Sequence, residues 1–504
     1  MDYSMRDPLL SKRPPIIPIF KKRYSIMKPL TRACLFTAVA ALSACKIEIE
    51  TPVEGSVTTL SGAIDCAATE VCTVDVVDIF FAETFVAEPE QGFIFKSWKQ
   101  KERGFCGGAT TPCQLVTAGF AGNEALTNLL NNPDEIFYLE PVFAVDRRTD
   151  AISLNEERTL NGFGNSWELD FYRNTAYGCG LSGNYSFLVV EPASNPGAEK
   201  PLWVYLHGGG TGYFDESGGY QSINNNANAW NHEETMDDLV DNQLLAKTLN
   251  QNMQLKDSTL TRRVQEGYRL LIVSMCDHDL YSGLGTPYPN NTDNPAAEVN
   301  GLQATMAAVE YTVANYATTH VIAHGTSAGS VGAHSLATAF AAEGTFLTAA
   351  VADSYIATPR IEPIFEAFSG VDGYPFSATF DLQGAVDKIG FYIDLEKQAY
   401  PEARIAQGFD DVPMLFIGGD LDQFCAGNLP AIPEAVAEDL GNCNYVFDGL
   451  RQAVAAQPDS PHQVALIEGR GHTPTNNSDS ETQDVVDDFI QAVLETSPPH
   501  PFAD

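Results

Sequence analysis

Five residues, Gly325-Thr326-Ser327-Ala328-Gly329, have the types and spacing for nucleophilic catalysis. They follow the strand-like THVIAH and lead into the helix-like GSVGAHSLATAF. A G-x-S-x-G elbow in that setting places its serine on a cramped strand-to-helix turn, which lifts the hydroxyl clear of the sheet. Backbone N–H groups at the helix start, Ala328 first, then face developing negative charge. The competing reading, a plain glycine turn, explains the pentapeptide but not the strand before it and the helix after it.

Three further groups complete a set. His207-Gly208-Gly209-Gly210 directly follows the strand-like PLWVYL. A glycine loop there offers bare N–H groups to the acyl oxygen of a tetrahedral intermediate. Gly208, Gly209 and Ala328 are the expected oxyanion donors, with His207 propping the loop. The strand-like VPMLFIGG runs into Asp420-Leu421-Asp422, and a G-x-x-D pattern from Gly419 selects Asp422 as the acid. Asp420, one register away, and Asp353, after AAVA, stay open as alternatives. His472, in EGRGHT between an expected last strand and last helix, supplies the base. The imidazole takes the serine proton, while the carboxylate fixes its tautomer and stabilises the imidazolium. His324 and His334 sit on the elbow strand and helix, where packing roles are expected.

Such residues need a scaffold that brings distant segments to one edge. Apolar runs recur at 202–206, 270–275, 321–323, 349–351, 414–417 and 464–467, with helical patterns at 297–316 and 482–494. Strand and helix in alternation imply a mostly parallel sheet covered on both faces. Serine, aspartate and histidine follow the chain order of the α/β-hydrolase fold. That fold is expected over residues 160–504, with insertions at 211–263 and 357–411 forming a rim or lid.

Cys276-Asp277-His278-Asp279-Leu280-Tyr281-Ser282-Gly283 resembles the C-x-x-D-x-aromatic-x-G segment of the pectin acetylesterase/Notum carboxylesterases. Gly332-Ala333 behind the elbow and the later Ala352-Asp353-Ser354 are also similar to that family, in motifs scattered over 200–475. The resemblance implies an α/β-hydrolase with a Ser-Asp-His triad acting on O-acyl esters, acetylated sugars and a lipidated protein being among the known substrate types. This chain carries HGGG where those enzymes have a glycine-tryptophan version.

Residues 51–148 read as a small all-β module, with short β-rich runs split by Gly and Pro turns. Ala87, Pro89, Gly92, Phe95 and Trp98, flanked by Cys pairs, resemble the internalin-like β-repeat of bacterial surface proteins over about 60 residues. That resemblance implies Cys66–Cys72 and Cys106–Cys113 bridges and a spacing or adhesive role. Local spacing suggests the same two bridges and Cys425–Cys443, which leaves Cys179 to meet Cys276 by elimination.

Residues 1–44 read as a leader. Met27-Lys28, an apolar run from Ala33 to Ala41 and Leu42-Ser43-Ala44-Cys45 match a lipoprotein signal at 27–44, with Cys45 lipidated and 45–60 a tether. Met27 is then the expected true start. Lys46 in place of Asp favours the outer membrane for this exported bacterial lipoprotein. The eight remaining cysteines suit an oxidising compartment. No C-x-x-C pair supports zinc, and no cofactor is implied. The formal charge is −37, and residues 45–504 hold 64 acidic against 21 basic residues, a net of −43. Such a surface repels phosphate backbones, so nucleic acid is not an expected partner. The expected function is a lipid-anchored serine esterase of small-molecule or polysaccharide esters. The alternatives are a serine peptidase on the same fold and an inactive surface-binding protein.

Overall fold

Apolar residues fill both faces of the central strands, as a parallel sheet between helix layers requires. The computed structural model describes residues 45–162, 164–215, 217–222, 232–247, 253–287, 290–343, 347–355, 358, 360, 364, 400–425, 443–477 and 479–497. The signal expected at 27–44 and most of the 357–411 insertion lie outside the described residues, as do parts of 211–263.

Nine strands make one sheet: β1 (Ile152–Gly162), β2 (Asn165–Gly178), β3 (Asn184–Pro192), β4 (Lys200–Leu206), β5 (Arg269–Val273), β6 (Thr318–Thr326), β7 (Ala349–Asp353), β8 (Met414–Gly419) and β9 (Gln463–Ile467). Their spatial order is β1-β2-β3-β5-β4-β6-β7-β8-β9. From β5 to β9 all neighbours are parallel. The first three strands form an antiparallel edge. The chain leaves β4 for β5 on one side and returns to β6 on the other. The loops after β4 and β6 therefore diverge at a switch point, where open α/β sheets place their ligands.

Helices cover both faces. On one, α2 (Gly301–Asn315), α3 (Ala328–Ala342) and α4 (Cys443–Ala455) bury Leu302, Met306, Leu336, Phe340, Val446 and Phe447. On the other, α1 (Thr259–Gln265) and α5 (Ser480–Thr496) bury Leu260, Val264, Val486, Phe489 and Ile490. The helix expected at 297–316 starts at Gly301, because Asp279 accepts the Gly301 N–H at 2.9 Å and caps it there.

Four sequence expectations change. The sheet begins at Ile152 rather than 160; β1 is an edge strand with mostly exposed side chains, so no apolar run marks it. The first unit takes the described residues up to Glu88 together with Ser97–Val142, while Pro89–Lys96 and Phe143 onward belong to the second. The expected tether at 45–60 is structured. Cys45–Glu50 is the middle strand of a three-stranded sheet between Val71–Val76 and Ile136–Leu139. Its alternation buries Cys45, Ile47 and Ile49. This first unit is not purely β, since Asn123 caps a seven-residue helix at Glu124–Leu130.

All four expected disulfides are formed, and Cys45 is the free cysteine among the described residues. Cys179–Cys276 closes the longest loop, 97 residues. Replacing both cysteines by Ala is expected to lower stability by about 2–4 kcal/mol in urea unfolding. A non-reducing peptide map should recover the same four pairs.

Candidate active site

Ser327 follows β6 at once and precedes α3, with φ 54° and ψ −119°, a backbone region that non-glycine residues rarely adopt. The flanking glycines are dictated by space. A Cβ on Gly325 would lie 1.8 Å from the Gly329 carbonyl oxygen, and one on Gly329 would lie 1.9 Å from that of Leu206. The Ser327 N–H donates to the Asp353 carbonyl at 2.9 Å, tying the elbow to the end of β7.

The candidate acid and base follow β8 and β9. Asp422, three residues past β8, places Oδ2 2.7 Å from His472 Nδ1. Its other oxygen accepts the Phe424 N–H at 2.9 Å. Asp420 does not reach the histidine; its N–H donates to Ile467 and its Oδ1 is buried without a partner. The Phe424 ring packs on His472 with centroids 4.4 Å apart. Immediately beyond, Cys425 is bridged to Cys443, whose sulfur lies 3.4 Å from the Asp422 carbonyl oxygen. His472 Nε2 is buried and unpaired among the described residues. The structure thus joins His472 to Asp422 and does not join Ser327 to His472, a bond that often tightens only around substrate.

Asp353, the third candidate acid, holds the base loop instead. Its Oδ2 accepts the Thr475 N–H at 3.0 Å and the Thr475 hydroxyl at 2.5 Å. Ser354 Oγ accepts the Thr473 N–H at 2.8 Å and donates to Asp353 Oδ1. Burial pushes the Asp353 carboxyl up to about 6, against the opposing pull of its Thr475 bonds. Behind it, Trp203 donates to His324 Nδ1, so Nε2 carries the proton and donates to Thr475 Oγ1 at 3.0 Å. Burial keeps His324 neutral, pushed down to about 3. His334 is buried and pushed down to about 3 in the same way. Neither histidine reaches the acid–base pair, as the packing roles require.

The glycine loop lies over the serine: a Cβ on Gly208 would be 2.9 Å from Ser327 Cβ. One expected donor is lost, however, because the Gly208 N–H donates to Thr326 Oγ1 at 3.2 Å. Thr326 is the second residue of the elbow, and its hydroxyl stands where that amide points. Ala328 stays as a candidate donor, as the first residue of α3, where no intrahelical acceptor exists, and Gly209 is the other expected residue of the glycine loop. The loop is braced from the segment after β5. The His278 carbonyl accepts Thr211 Oγ1 at 3.0 Å and the Gly212 N–H at 3.3 Å, and Tyr281 Oη donates to the His207 carbonyl. His207 itself meets Glu234 at 3.1 Å, a residue sequence reasoning missed. Among the described residues the one grouping with metal-ligand spacing, Cys66, Glu70 and Cys72, has both sulfurs in a disulfide.

No protein-family model and no curated protein matches the chain. Solved structures similar to it include an S-formylglutathione hydrolase from Agrobacterium tumefaciens, at 12% identity over 67% of this chain and 98% of the other, with TM-score 0.36. Two fungal esterases from Rhizomucor miehei are represented at 14% identity, 69% and 87% coverage and TM-score 0.35. Brefeldin A esterase, a bacterial homologue of human hormone-sensitive lipase, is similar at 15% identity, 70% and 76% coverage and TM-score 0.32. Scores of this size are too low to carry function from those enzymes to this chain.

The geometry ranks the three carboxylates. Asp422→Asn should lower kcat for a simple ester by about three to four orders of magnitude, because an amide cannot hold the right imidazole tautomer. Asp420→Asn and Asp353→Asn should each cost far less. Steady-state kinetics on the three folded variants checks the order, and a larger loss in either of the latter two reassigns the acid.

Proposed function

We propose that the chain is an α/β-hydrolase that cleaves carboxylic esters, with Ser327 as nucleophile, His472 as base and Asp422 as the acid. The observation that carries this reading is the 2.7 Å Asp422–His472 contact, which leaves His472 Nε2 unpaired beyond the C-terminal end of β9, while the strained Ser327 follows the C-terminal end of the parallel strand β6. Ser327 Oγ attacks the acyl carbon while Nε2 takes its proton. The N–H groups of Gly209 and Ala328 receive the oxyanion. As the tetrahedral intermediate collapses, His472 returns the proton to the departing alcohol, and water repeats the sequence on the acyl-enzyme. Small-molecule or polysaccharide esters are the substrate class. Ser327→Ala should abolish hydrolysis of p-nitrophenyl acetate without loss of fold, because a missing triad member costs several orders of magnitude. A folded variant that still turns over the ester sinks the reading, and turnover of peptide anilides by wild type alone would redirect it to a peptidase.

The same proposal makes it an exported, lipid-anchored enzyme of the outer membrane. Support comes from the Leu42-Ser43-Ala44-Cys45 motif and from four disulfides. Among the described residues no helix is long and apolar enough to cross a membrane. The Cys45 thiol is 3% exposed and faces the Val76 carbonyl, so lipidation requires this first strand residue to turn outward. Bacterial acyl chains contribute about 0.8 kcal/mol per buried CH₂. Cys45→Ser should therefore move the enzyme, fully active, from the membrane fraction to the soluble one. A variant that stays membrane-bound contradicts the anchor.

A further inference from the structure

Tyr205 is the penultimate residue of β4, and its phenol is buried. Its hydroxyl has two partners, each from a different segment of the site. Oη lies 3.0 Å from Thr326 Oγ1, in the serine elbow, and donates to Asn476 Oδ1 at 3.5 Å, in the loop that carries His472. Thr326 Oγ1 in turn accepts the Gly208 N–H at 3.2 Å. On the far side, Asn476 Nδ2 donates to Thr473 Oγ1 at 3.0 Å, and the Thr473 hydroxyl donates to the His472 carbonyl at 2.8 Å. One line of hydrogen bonds therefore runs from the glycine loop to the backbone of the base.

Each hydroxyl on this line has a single proton, and that fixes the direction of every link. The His472 carbonyl only accepts, so the Thr473 hydroxyl gives its proton there and must accept from Asn476. The Asn476 amide nitrogen thus faces Thr473, and its oxygen faces Tyr205. That oxygen only accepts, so the phenol gives its proton to it and must accept from Thr326. With its own proton given to Tyr205, Thr326 Oγ1 accepts from Gly208. Burial pushes the Tyr205 phenol far above the usual range, against the pull of its Thr326 bond, so the proton stays on the oxygen. All donors point one way, and bonds in such a chain polarise and strengthen one another.

We propose that Tyr205 and Thr326 are positioning residues whose hydroxyls set the spacing of glycine loop, nucleophile and base, an inference that rests on the ester-hydrolase reading. Thr326 immediately precedes Ser327, so an amide bonded to its hydroxyl ties the glycine loop to the nucleophile's own backbone. The approach is close: a Cβ on Gly208 would lie 2.9 Å from Ser327 Cβ and 3.0 Å from the Thr326 carbonyl oxygen. Thr326 is β-branched and buried, with few rotamers open to it, so its hydroxyl is a fixed peg. Tyr205 is held as firmly, since β4 is paired on both sides and Tyr205 stands between Ile272 of β5 and His324 of β6. Strands β6 and β9 are not neighbours in the sheet, so strand register does not join the elbow to the base loop directly. The phenol does. The base loop has a second hold at Ser354, which accepts the Thr473 N–H, so the glycine loop is the part that depends most on this line.

Packing alone does not call for these two hydroxyls. A phenylalanine at 205 would fill the same space beside the His324 ring, whose centroid lies 5.4 Å away, and valine has the shape of Thr326. Asp353, the carboxylate whose charge reaches the phenol, does not compete for its proton. The Asp353 oxygens are already bonded to Thr475 and Ser354. What the hydroxyls add is direction, one donor and one acceptor at each step, and an unpaired Gly208 N–H would be the cost of removing Thr326 Oγ1.

Kinetics and hydrogen exchange test this. In Ser327-dependent hydrolysis of p-nitrophenyl acetate, Tyr205→Phe should lower kcat about 3- to 10-fold and Thr326→Val about 10- to 100-fold, since small misplacements of reacting groups are costly. KM should change by less than about twofold in both, because the loss falls on the transition state. Thr326→Ser keeps the hydroxyl and should stay within about threefold of wild type, the loss left by its freer rotamers. The double variant Tyr205→Phe/Thr326→Val should lose less than the product of the single losses, because both residues act through one line. Amide exchange at Gly208 should quicken in Thr326→Val and not in Thr326→Ser. A folded Tyr205→Phe enzyme with wild-type kcat overturns the proposal, as do losses that fall on KM or that multiply in the double variant. If Thr326→Val fails to fold, Tyr205→Phe and Thr326→Ser decide. Hydrolysis that survives Ser327→Ala would sink the esterase reading instead, while exchange at Gly208 still reports whether the Thr326 hydroxyl holds the loop.

Discussion

The site depends on a strained backbone that hydrogen bonds hold in place. Ser327, Ser354 and Thr473 all have positive φ, at 54°, 60° and 54°, and none is glycine. Each such residue costs on the order of 1–3 kcal/mol and persists only where its surroundings over-determine it. Here they determine one another. Ser327 donates its N–H to Asp353, Ser354 donates its own to Ile417 of β8, and Thr473 donates to the Ser354 hydroxyl. Ser327 and the loop that carries His472 thus hang from consecutive residues at the end of β7. The parallel register supplies the frame: Thr326 stands beside Asp353, Asp353 beside Ile417 and Gly419 beside Ile467.

Around this knot the protein buries groups that water would otherwise hold. Asp353 lies in the interior with its carboxyl pushed up to about 6. It is tolerated because Thr475 gives it two donors, and His324 orients that hydroxyl from behind. On the other side of the site, His207 Nε2 lies 3.1 Å from Glu234 Oε2, both buried. Both networks sit in the first layer beneath the reacting groups, where low dielectric strengthens each bond and makes each loss costly. A satisfied polar layer of this kind buys a fixed geometry more than it buys stability.

Much of this is legible in the sequence wherever a chemical requirement coincides with a local pattern. The elbow, the glycine loop and the base each follow an apolar run, so strand ends and reactive residues announce one another. The 45–50 segment was also legible: KIEIE alternates with period two, and its acidic residues alone suggested a tether. The G-x-x-D spacing favours Asp422, but Asp420 stays open in the sequence because the choice lies past the end of β8, where strand alternation no longer sets side-chain direction. The loss of Gly208 as a donor depends on where one hydroxyl, on Thr326, points in three dimensions. Glu234 carries no local signal at all. It stands among other carboxylates, Glu233, Asp237 and Asp238, in a polar insertion, and only the fold reveals that it, and not a neighbour, meets the histidine 27 residues earlier.

Both sides of the site are clamped by a disulfide, and this links the chemistry to the compartment. Cys276 is bridged to Cys179 of the segment after β2, and Cys276 opens the loop whose His278 carbonyl and Tyr281 hydroxyl hold the oxyanion loop. Cys425 is bridged to Cys443 at the start of α4, directly behind the Asp422 backbone. The serine and the histidine need no such clamp, since the interior strands β6 and β7 and the Asp353–Ser354 knot already hold them. The loops after β5 and β8 carry the clamps. Non-glycine residues at positive φ, His278, Leu280 and Tyr281, stand in the first of them, and a loop under that constraint relaxes unless its ends are fixed. Oxidation fixes them. In a reducing compartment the sheet would retain its core and the Ser327 turn, but the loops that carry His278 and Asp422 would lose their anchors.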